Sequence, residues 1–157
     1  MVELLDELLR KAKEAEGLYC QLVLVVAPAG SGKTAALQEA QRRTGAPLVN
    51  VNLELAKQML ELTARQRVLS VGRIMGDIVQ MASGRLVLLD DLEMLFDPVL
   101  KQDPLRLLED LSRDKTVIAA WGGSIKDGYL TYGEPGHPEY RRYPVKGFLV
   151  VSRETSA

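Results

Sequence analysis

The stretch that most constrains the fold runs from residue 22 to residue 34 and reads LVLVVAPAGSGKT. Its apolar start, 22–26, predicts a buried strand, and the good helix formers over 35–40 predict a helix directly after the stretch. Between the two, Gly30 and Gly32 allow the backbone to turn so that successive N–H groups point inward, toward an anion. A strand, a glycine-rich loop and a helix in this order predict a phosphate-binding loop.

The residue types of this loop suit a bound nucleoside triphosphate. Lys33 supplies a positive charge for the outer phosphates, and the Thr34 hydroxyl is a ligand for Mg²⁺. The dipole of the following helix favours an anion at the same place. Ala27 stands where the usual pattern opens with glycine, and we expect some strain in the turn there. The predicted contacts to the nucleotide are made by Ala27, Pro28, Ala29, Gly30, Ser31, Gly32, Lys33, Thr34 and Ala35.

A second apolar run, Leu86–Leu89, ends in the pair Asp90 and Asp91. A continuously apolar run is typical of a strand covered on both faces, and ligands of open α/β sheets bind beyond the carboxyl ends of such strands. We expect Asp90 to orient Mg²⁺ opposite Thr34, and Asp91 to polarise an attacking water. Glu93, one turn further on, is predicted to be a solvated helix residue rather than a further acid at the site.

Strands and helices alternate along the chain, which predicts a mainly parallel sheet covered on both faces. The five predicted strands are 22–27, 48–52, 86–90, 116–121 and 148–151. The length of 157 residues predicts one domain, 1–157, with an amphipathic helix over 1–17 that packs on the core. The expected fold class is α/β, with three αβα layers around a five-stranded sheet.

Composition excludes several broad classes of protein. The net charge of −1 gives no general attraction to nucleic acid. Cys20 is the only cysteine, so no internal disulfide can form, and we expect a buried thiol in a reducing compartment. Charged residues among the first leucines argue against a signal peptide, and no apolar stretch is long enough to span a bilayer. These features predict a cytoplasmic protein that does not associate with membranes.

The stretch 122–147 lacks clear periodicity, yet it holds four of the five tyrosines and the only histidine. We expect a long functional loop before the last strand. Arg141 and Arg142 lie near its end. Three interpretations of this pair stay open, which are a solvated pair, an arginine supplied to the nucleotide of a neighbouring subunit, and contacts to phosphates of DNA or RNA.

The order of these motifs resembles the additional-strand class of P-loop NTPases, which includes AAA+ and RecA-like proteins. Paired aspartates at this place resemble the replication initiator and helicase-loader branch of bacteria. A closer resemblance is to BrxF, the small P-loop proteins of type III BREX bacteriophage-exclusion systems. Three stretches carry it, namely LVNVNLEL at 48–55, LLDDLEMLFDPVLKQDPLRLLEDLSRD at 88–114 and DGYLTYGEPGHPEYRRYPV at 127–145.

The resemblance implies an ATPase with ATP and Mg²⁺ as cofactors, in bacterial phage defence beside a DNA methyltransferase and larger ATPases. Lys33 and Asp91 would then be catalytic, and Arg141 or Arg142 would complete the site in trans. The polar sensor residue that ends the fourth strand of AAA+ proteins has Ser124 as its candidate here. Since only Ser152–Ala157 follow the last strand, we expect an AAA+-like core without a C-terminal helical lid.

Without a lid, turnover is expected to depend on a homo-oligomer or on other BREX proteins. Two other interpretations stay open. The first is a nucleotide-gated assembly or DNA-binding module with little turnover, with DNA contacted near Arg141 and Arg142. The second is a small-molecule P-loop kinase, which is disfavoured because the sequence shows no arginine-rich insert to cover two phosphoryl substrates.

Overall fold

The apolar runs of the sequence form the central strands of a mostly parallel sheet. The structure, a computed structural model, describes residues 2–28 and 32–152. The parallel strands are β1 (Leu22–Ala27), β2 (Leu48–Asn50), β3 (Leu86–Asp90), β4 (Thr116–Lys126) and β7 (Leu149–Ser152). Their order across the sheet is β2-β3-β4-β1-β7, so β4 separates β1 from β3. The class is α/β, as the sequence predicts, and the arrangement is compatible with three αβα layers.

Within the residues that the structure describes, five α-helices cover the sheet, and their apolar faces form two separate clusters. The helices are α1 (Val2–Ala15), α2 (Lys33–Thr44), α3 (Val51–Met59), α4 (Ala64–Met81) and α5 (Pro104–Leu111). Helices α1 and α2 pack on the face that carries Val23 and Ile118. Helices α3, α4 and α5 pack on the opposite face, with Leu24 and Leu89. The prediction that the leading helix packs on the core is confirmed, since Leu8 is fully buried there.

Side-chain caps define where several helices begin. Asn50 ends β2 and accepts a hydrogen bond from the backbone N–H of Leu53, so α3 starts directly after the strand. For this reason β2 stops at residue 50 rather than at 52. Asp103 caps α5 in the same way, with Pro104 in the first turn, as their order in the sequence indicates.

Half of the stretch 122–147 is strand, which corrects the prediction of a long loop. Strand β4 continues to Lys126, and β5 (Tyr129–Tyr132) and β6 (Arg141–Pro144) add to it in antiparallel order. Asp127 and Gly128 form the connecting turn with φ values of 52° and 79°. Two successive positive φ angles are what a tight hairpin turn requires. In the described part of the chain, the sheet therefore has seven strands rather than five.

The antiparallel extension is held against the core by aromatic side chains. Trp121 is fully buried and donates a 3.0 Å hydrogen bond from Nε1 to the carbonyl oxygen of Thr131. Phe96 stacks on Tyr132 with ring centroids 3.5 Å apart. A Cβ atom on Gly123 would lie only 1.9 Å from the Thr131 oxygen, so this position needs glycine. These contacts fix β5 relative to the parallel strands.

Two further predictions concern the surface of the molecule. Over residues 2–28 and 32–152, none of the helices combines the length and the apolarity needed to cross a membrane. Cys20 is a free thiol that is half-buried, rather than buried as the sequence suggests.

Candidate functional site

A cavity of about 360 Å³ lies at the carboxyl ends of the central strands. The register pairs Ala27 of β1 with Gly122 of β4, which puts the start of α2 and the end of β3 at the same edge of the sheet. Polar and charged side chains form much of its lining. The lining residues are Gly32, Lys33, Thr34, Asp90, Asp91, Glu93, Ala120, Gly122 and Tyr132.

Thr34 and Asp90 meet in this cavity although 56 positions separate them in the sequence. The Thr34 hydroxyl donates a 2.6 Å hydrogen bond to Oδ2 of Asp90. The contact arises because α2 connects β1 to β2 at the far edge of the sheet and therefore passes over β4 and β3. Asp90 is only 7% exposed, so its carboxylate is held in place by burial as well as by this bond.

Lys33 is the first residue of α2, and its ammonium group is folded back onto β1. It donates hydrogen bonds of 3.0 Å and 2.9 Å to the carbonyl oxygens of Ala27 and Pro28. Gly32, immediately before it, has φ 88°, a conformation that other residues rarely adopt. Burial lowers the pKa of Lys33, and the carboxylates of Glu93, Asp90 and Asp91 act in the opposite direction. The cation therefore contacts backbone carbonyls and lies in the electrostatic field of the three acids.

Asp91 has an unusual backbone conformation, with φ 54°. Its N–H donates a 2.9 Å hydrogen bond to Oδ1 of Asp90, and its Oδ2 accepts a 2.7 Å hydrogen bond from Nδ2 of Asn50. Burial raises the pKa of Asp91, the adjacent charge of Asp90 raises it further, and Lys33 lowers it. A carboxylate with a raised pKa that is held in one orientation is suited to accept a proton or to align a water.

The sequence patterns did not indicate Asn50 and Tyr132 as residues of the site, and they indicated another role for Glu93. Asn50 ends β2 beside Asp91, two residues before the predicted end of that strand, because its side chain caps α3. Tyr132 reaches the cavity from β5, a strand within the stretch for which the sequence predicts a loop. Glu93 is exposed, as predicted, but it also lines the cavity.

Several predicted site residues do not line this cavity. Arg141 donates hydrogen bonds to the carbonyl oxygens of Tyr140 and Gln102, and the exposed Arg142 lies over the ring of Tyr129 at 3.5 Å. The hydroxyl of Ser124 pairs with Thr131 Oγ1 in the hairpin. Ala35 is a half-buried residue of α2 that does not line the cavity. The predicted contacts at Ala29, Gly30 and Ser31 lie outside the described residues.

The donor set suits a hard cation that is shared with a ligand, rather than a closed protein site. Within the described part of the chain, no cluster of three or more His, Cys, Asp or Glu side chains has the arrangement of a metal site. Mg²⁺ commonly uses one or two protein oxygens and completes its shell with water and phosphate oxygens. The oxygen atoms of Thr34 and Asp90, 2.6 Å apart, fit that requirement.

Comparison with known proteins adds no further assignment. No protein-family model matches this chain, and neither a curated protein nor a solved structure matches it. The fold and the site therefore define the class directly, as an α/β protein with a charged cavity at the carboxyl edge of a mostly parallel sheet.

Proposed function

We propose that this protein binds ATP together with Mg²⁺ in the cavity at the carboxyl edge of the sheet, and that it hydrolyses the bound ATP. The observation that carries the proposal is the 2.6 Å hydrogen bond between Thr34 and Asp90, with Lys33 in the wall of the same cavity. A hydroxyl and a cation at a helix start, facing a buried carboxylate at a strand end, supply the groups that a triphosphate and its metal need.

Each residue has a distinct part in this proposal. The Lys33 ammonium exchanges a carbonyl contact for the outer phosphates and offsets their charge. Thr34 and Asp90 hold Mg²⁺, which when bound neutralises charge that develops on the phosphates. Asp91 accepts a hydrogen bond from the attacking water and aligns it with the terminal phosphorus. Asn50 holds the carboxylate of Asp91 in position for this task.

The position of β4 supports the additional-strand class of P-loop NTPases. The name of that class refers to an additional strand, and β4 is the candidate for it here. In this chain β4 lies between the strand that precedes the loop and the strand that ends in Asp90. The resemblance to BrxF is the basis for proposing a role in phage defence. On that basis the protein acts in the cytoplasm as a component of a BREX system, as a homo-oligomer or with other BREX proteins, and its turnover depends on that assembly.

The decisive experiment is equilibrium binding of ATP and ADP, with Mg²⁺ present, measured by titration calorimetry. Wild-type protein is compared with Lys33→Ala, and Lys126→Ala serves as the matched control because Lys126 is an exposed lysine of the hairpin outside the cavity. We expect Lys33→Ala to lose binding and Lys126→Ala to retain it. The proposal is wrong if wild type binds neither nucleotide, or if the two variants lose affinity equally.

A second candidate function is a nucleotide-gated assembly or DNA-binding module with little turnover. The specific observation in its favour is that none of the arginines within residues 2–28 and 32–152, Arg141 and Arg142 included, lines the cavity of its own chain. Phosphate release separates the two functions when it is measured with and without double-stranded DNA. Nucleotide binding without phosphate release under either condition favours the second function.

A further inference from the structure

Tyr132 is the one aromatic side chain among the residues that line the described cavity. It comes from β5, outside the parallel strands, and its backbone pairs with Gly123 of β4. The same cavity contains Lys33, Asp90 and Asp91, which are the groups assigned above to the outer phosphates, the metal and the attacking water. Tyr132 therefore faces the reacting end of the proposed ligand.

The ring of Tyr132 is held in a defined position. It stacks on Phe96 with ring planes 11° apart and meets the edge of Trp121 at 83° with 6.2 Å between centroids. The carbonyl oxygen of the preceding residue, Thr131, accepts the hydrogen bond from Trp121. Aromatic pairs of this kind add to stability beyond their buried area. A preorganised side chain of this type loses little conformational freedom when it contacts a ligand.

The hydroxyl of Tyr132 is available as a donor. Over residues 2–28 and 32–152 it makes no hydrogen bond to another protein group, whereas the Tyr143 hydroxyl donates a 2.9 Å bond to Oδ1 of Asp103. Burial raises the pKa of the Tyr132 phenol, and the negative charges of Glu93 and Glu139 raise it further. The phenol therefore stays protonated at neutral pH, and it can approach an anion without adding a second negative charge.

We propose that the Tyr132 hydroxyl donates a hydrogen bond to the terminal phosphate of the bound nucleotide and thereby distinguishes a nucleoside triphosphate from a diphosphate. The inference rests on the proposed function, because it needs a nucleotide in the cavity. It goes beyond that function by assigning selectivity to a residue of the antiparallel extension. The inference also gives the antiparallel extension a function at the site, because the hairpin turn brings β5 to the edge of the cavity.

The test compares Tyr132→Phe with Tyr129→Phe. Both variants lose one phenolic hydroxyl from β5, but Tyr129 does not line the cavity and lies under the guanidinium of Arg142 instead. Affinities for a non-hydrolysable ATP analogue and for ADP, each with Mg²⁺, are measured by calorimetry. We expect Tyr132→Phe to bind the triphosphate about tenfold more weakly and ADP as wild type does, because the lost bond is one to a charged group. Tyr129→Phe should match wild type for both ligands.

Fluorescence of Trp121, the only tryptophan, gives an independent reading in the wild-type protein. Because Trp121 touches the ring of Tyr132, we expect the triphosphate analogue to shift its emission and ADP to leave it unchanged. The inference is overturned if Tyr132→Phe weakens both ligands equally or neither. An unchanged triphosphate affinity would mean that the hydroxyl contacts solvent rather than the ligand, while the proposed ATP site would stand. If wild type binds no nucleotide, both the site and this inference are wrong.

Discussion

Asn50 donates a 2.7 Å hydrogen bond from Nδ2 to Oδ2 of Asp91, and so joins the ends of β2 and β3. The other amide atom, Oδ1, accepts the N–H of Leu53 at the start of α3. The amide nitrogen can donate but not accept, and the amide oxygen can accept but not donate. The two hydrogen bonds therefore fix the orientation of the amide group. The first turn of α3 and the carboxylate of Asp91 are consequently linked through one side chain.

Replacing Asn50 should separate its two tasks. Asn50→Ala removes the helix cap together with the donor to Asp91, and we expect a loss of about 1 kcal/mol in the free energy of unfolding. Asn50→Ser keeps an oxygen that can cap α3 and replaces the Nδ2 donor that reaches Asp91 with a shorter hydroxyl, so its stability should stay near that of wild type. Urea unfolding followed by circular dichroism measures both. Equal losses in the two variants would show that the cap does not determine the effect.

The pH dependence of stability should report on Asp91. Because its pKa is raised in the folded state, the folded protein binds this proton more tightly than the unfolded chain does. The contribution of Asp91 to stability therefore falls as pH rises from the ordinary aspartate value, about 3.9, through the raised value. We expect Asp91→Asn to have a higher Tm than wild type at pH 7, and the difference to shrink toward pH 4.

Asp127→Asn is the matched control for this measurement. Asp127 has φ 52° and Asp91 has φ 54°, and asparagine tolerates this conformation, so backbone strain is similar in both substitutions. Asp127 is exposed in the hairpin turn, so its variant measures the effect of the substitution at a positive φ outside the cavity. If phosphate release is observed, its rate should fall on the acid side at a pH above the ordinary aspartate pKa, because Asp91 must be ionised to accept a proton.

Removing Thr34 or Asp90 should abolish the Mg²⁺-dependent part of ATP affinity. Their oxygens are 2.6 Å apart and are proposed to share one cation, so Thr34→Ala and Asp90→Asn should each weaken binding about tenfold with Mg²⁺. Both should resemble wild type when EDTA removes the metal. The double variant should be little worse than either single one, because the two residues act together.

Thr44→Ala provides the matched control at the other end of α2. The Thr44 hydroxyl donates to the carbonyl oxygen of Ala40 and does not line the cavity, so this variant should keep its response to Mg²⁺. Calorimetric titrations with and without EDTA make the comparison. A Mg²⁺ response that survives in Asp90→Asn would remove this residue from the metal site.

The two arginines of β6 should differ in what their replacement changes. Arg141 donates to three backbone carbonyls, those of Pro138, Tyr140 and Gln102, and its loss should lower the Tm, whereas the exposed Arg142 lies over the ring of Tyr129 and should matter little for stability. Arg142→Ala is therefore the variant with which to test an arginine in trans. Mixing it with Asp91→Asn should partly restore phosphate release, because such an arginine is typically worth 10³–10⁵ in rate. No recovery at any mixing ratio would argue against a shared site.

Glycine substitutions should distinguish the hairpin from the helices. Gly123→Ala forces a methyl group to 1.9 Å from the Thr131 oxygen, and we expect a loss of several kcal/mol in the free energy of unfolding as β5 moves away. Gly72→Ala, inside α4 with no atom within 4 Å of the new methyl group, should stabilise by about 0.5–1 kcal/mol. Denaturant titration of both variants checks the opposite signs. Wild-type stability in Gly123→Ala would show that the extension is not held by this contact.

Local signals in the sequence were enough to predict the elements that build the core. Continuous apolar runs located β1 and β3, because a strand buried on both faces has no polar positions. The Asp103-Pro104 pair located the start of α5. The antiparallel extension was missed although Asp127-Gly128 is a strong local hairpin signal. The lack of clear periodicity over 122–147 favours an irregular loop instead.

The sequence by itself determined the strands and helices of the parallel core, and that acids and a lysine follow the strands, because these properties depend on near neighbours in the chain. Only the tertiary structure decided that Thr34 reaches Asp90, that Asn50 holds Asp91 and that Tyr132 lines the cavity. Those contacts follow from the strand order and from the path of α2 across the sheet. Periodicity along the chain carries no information on which distant segments become neighbours, since packing of the whole core selects that order.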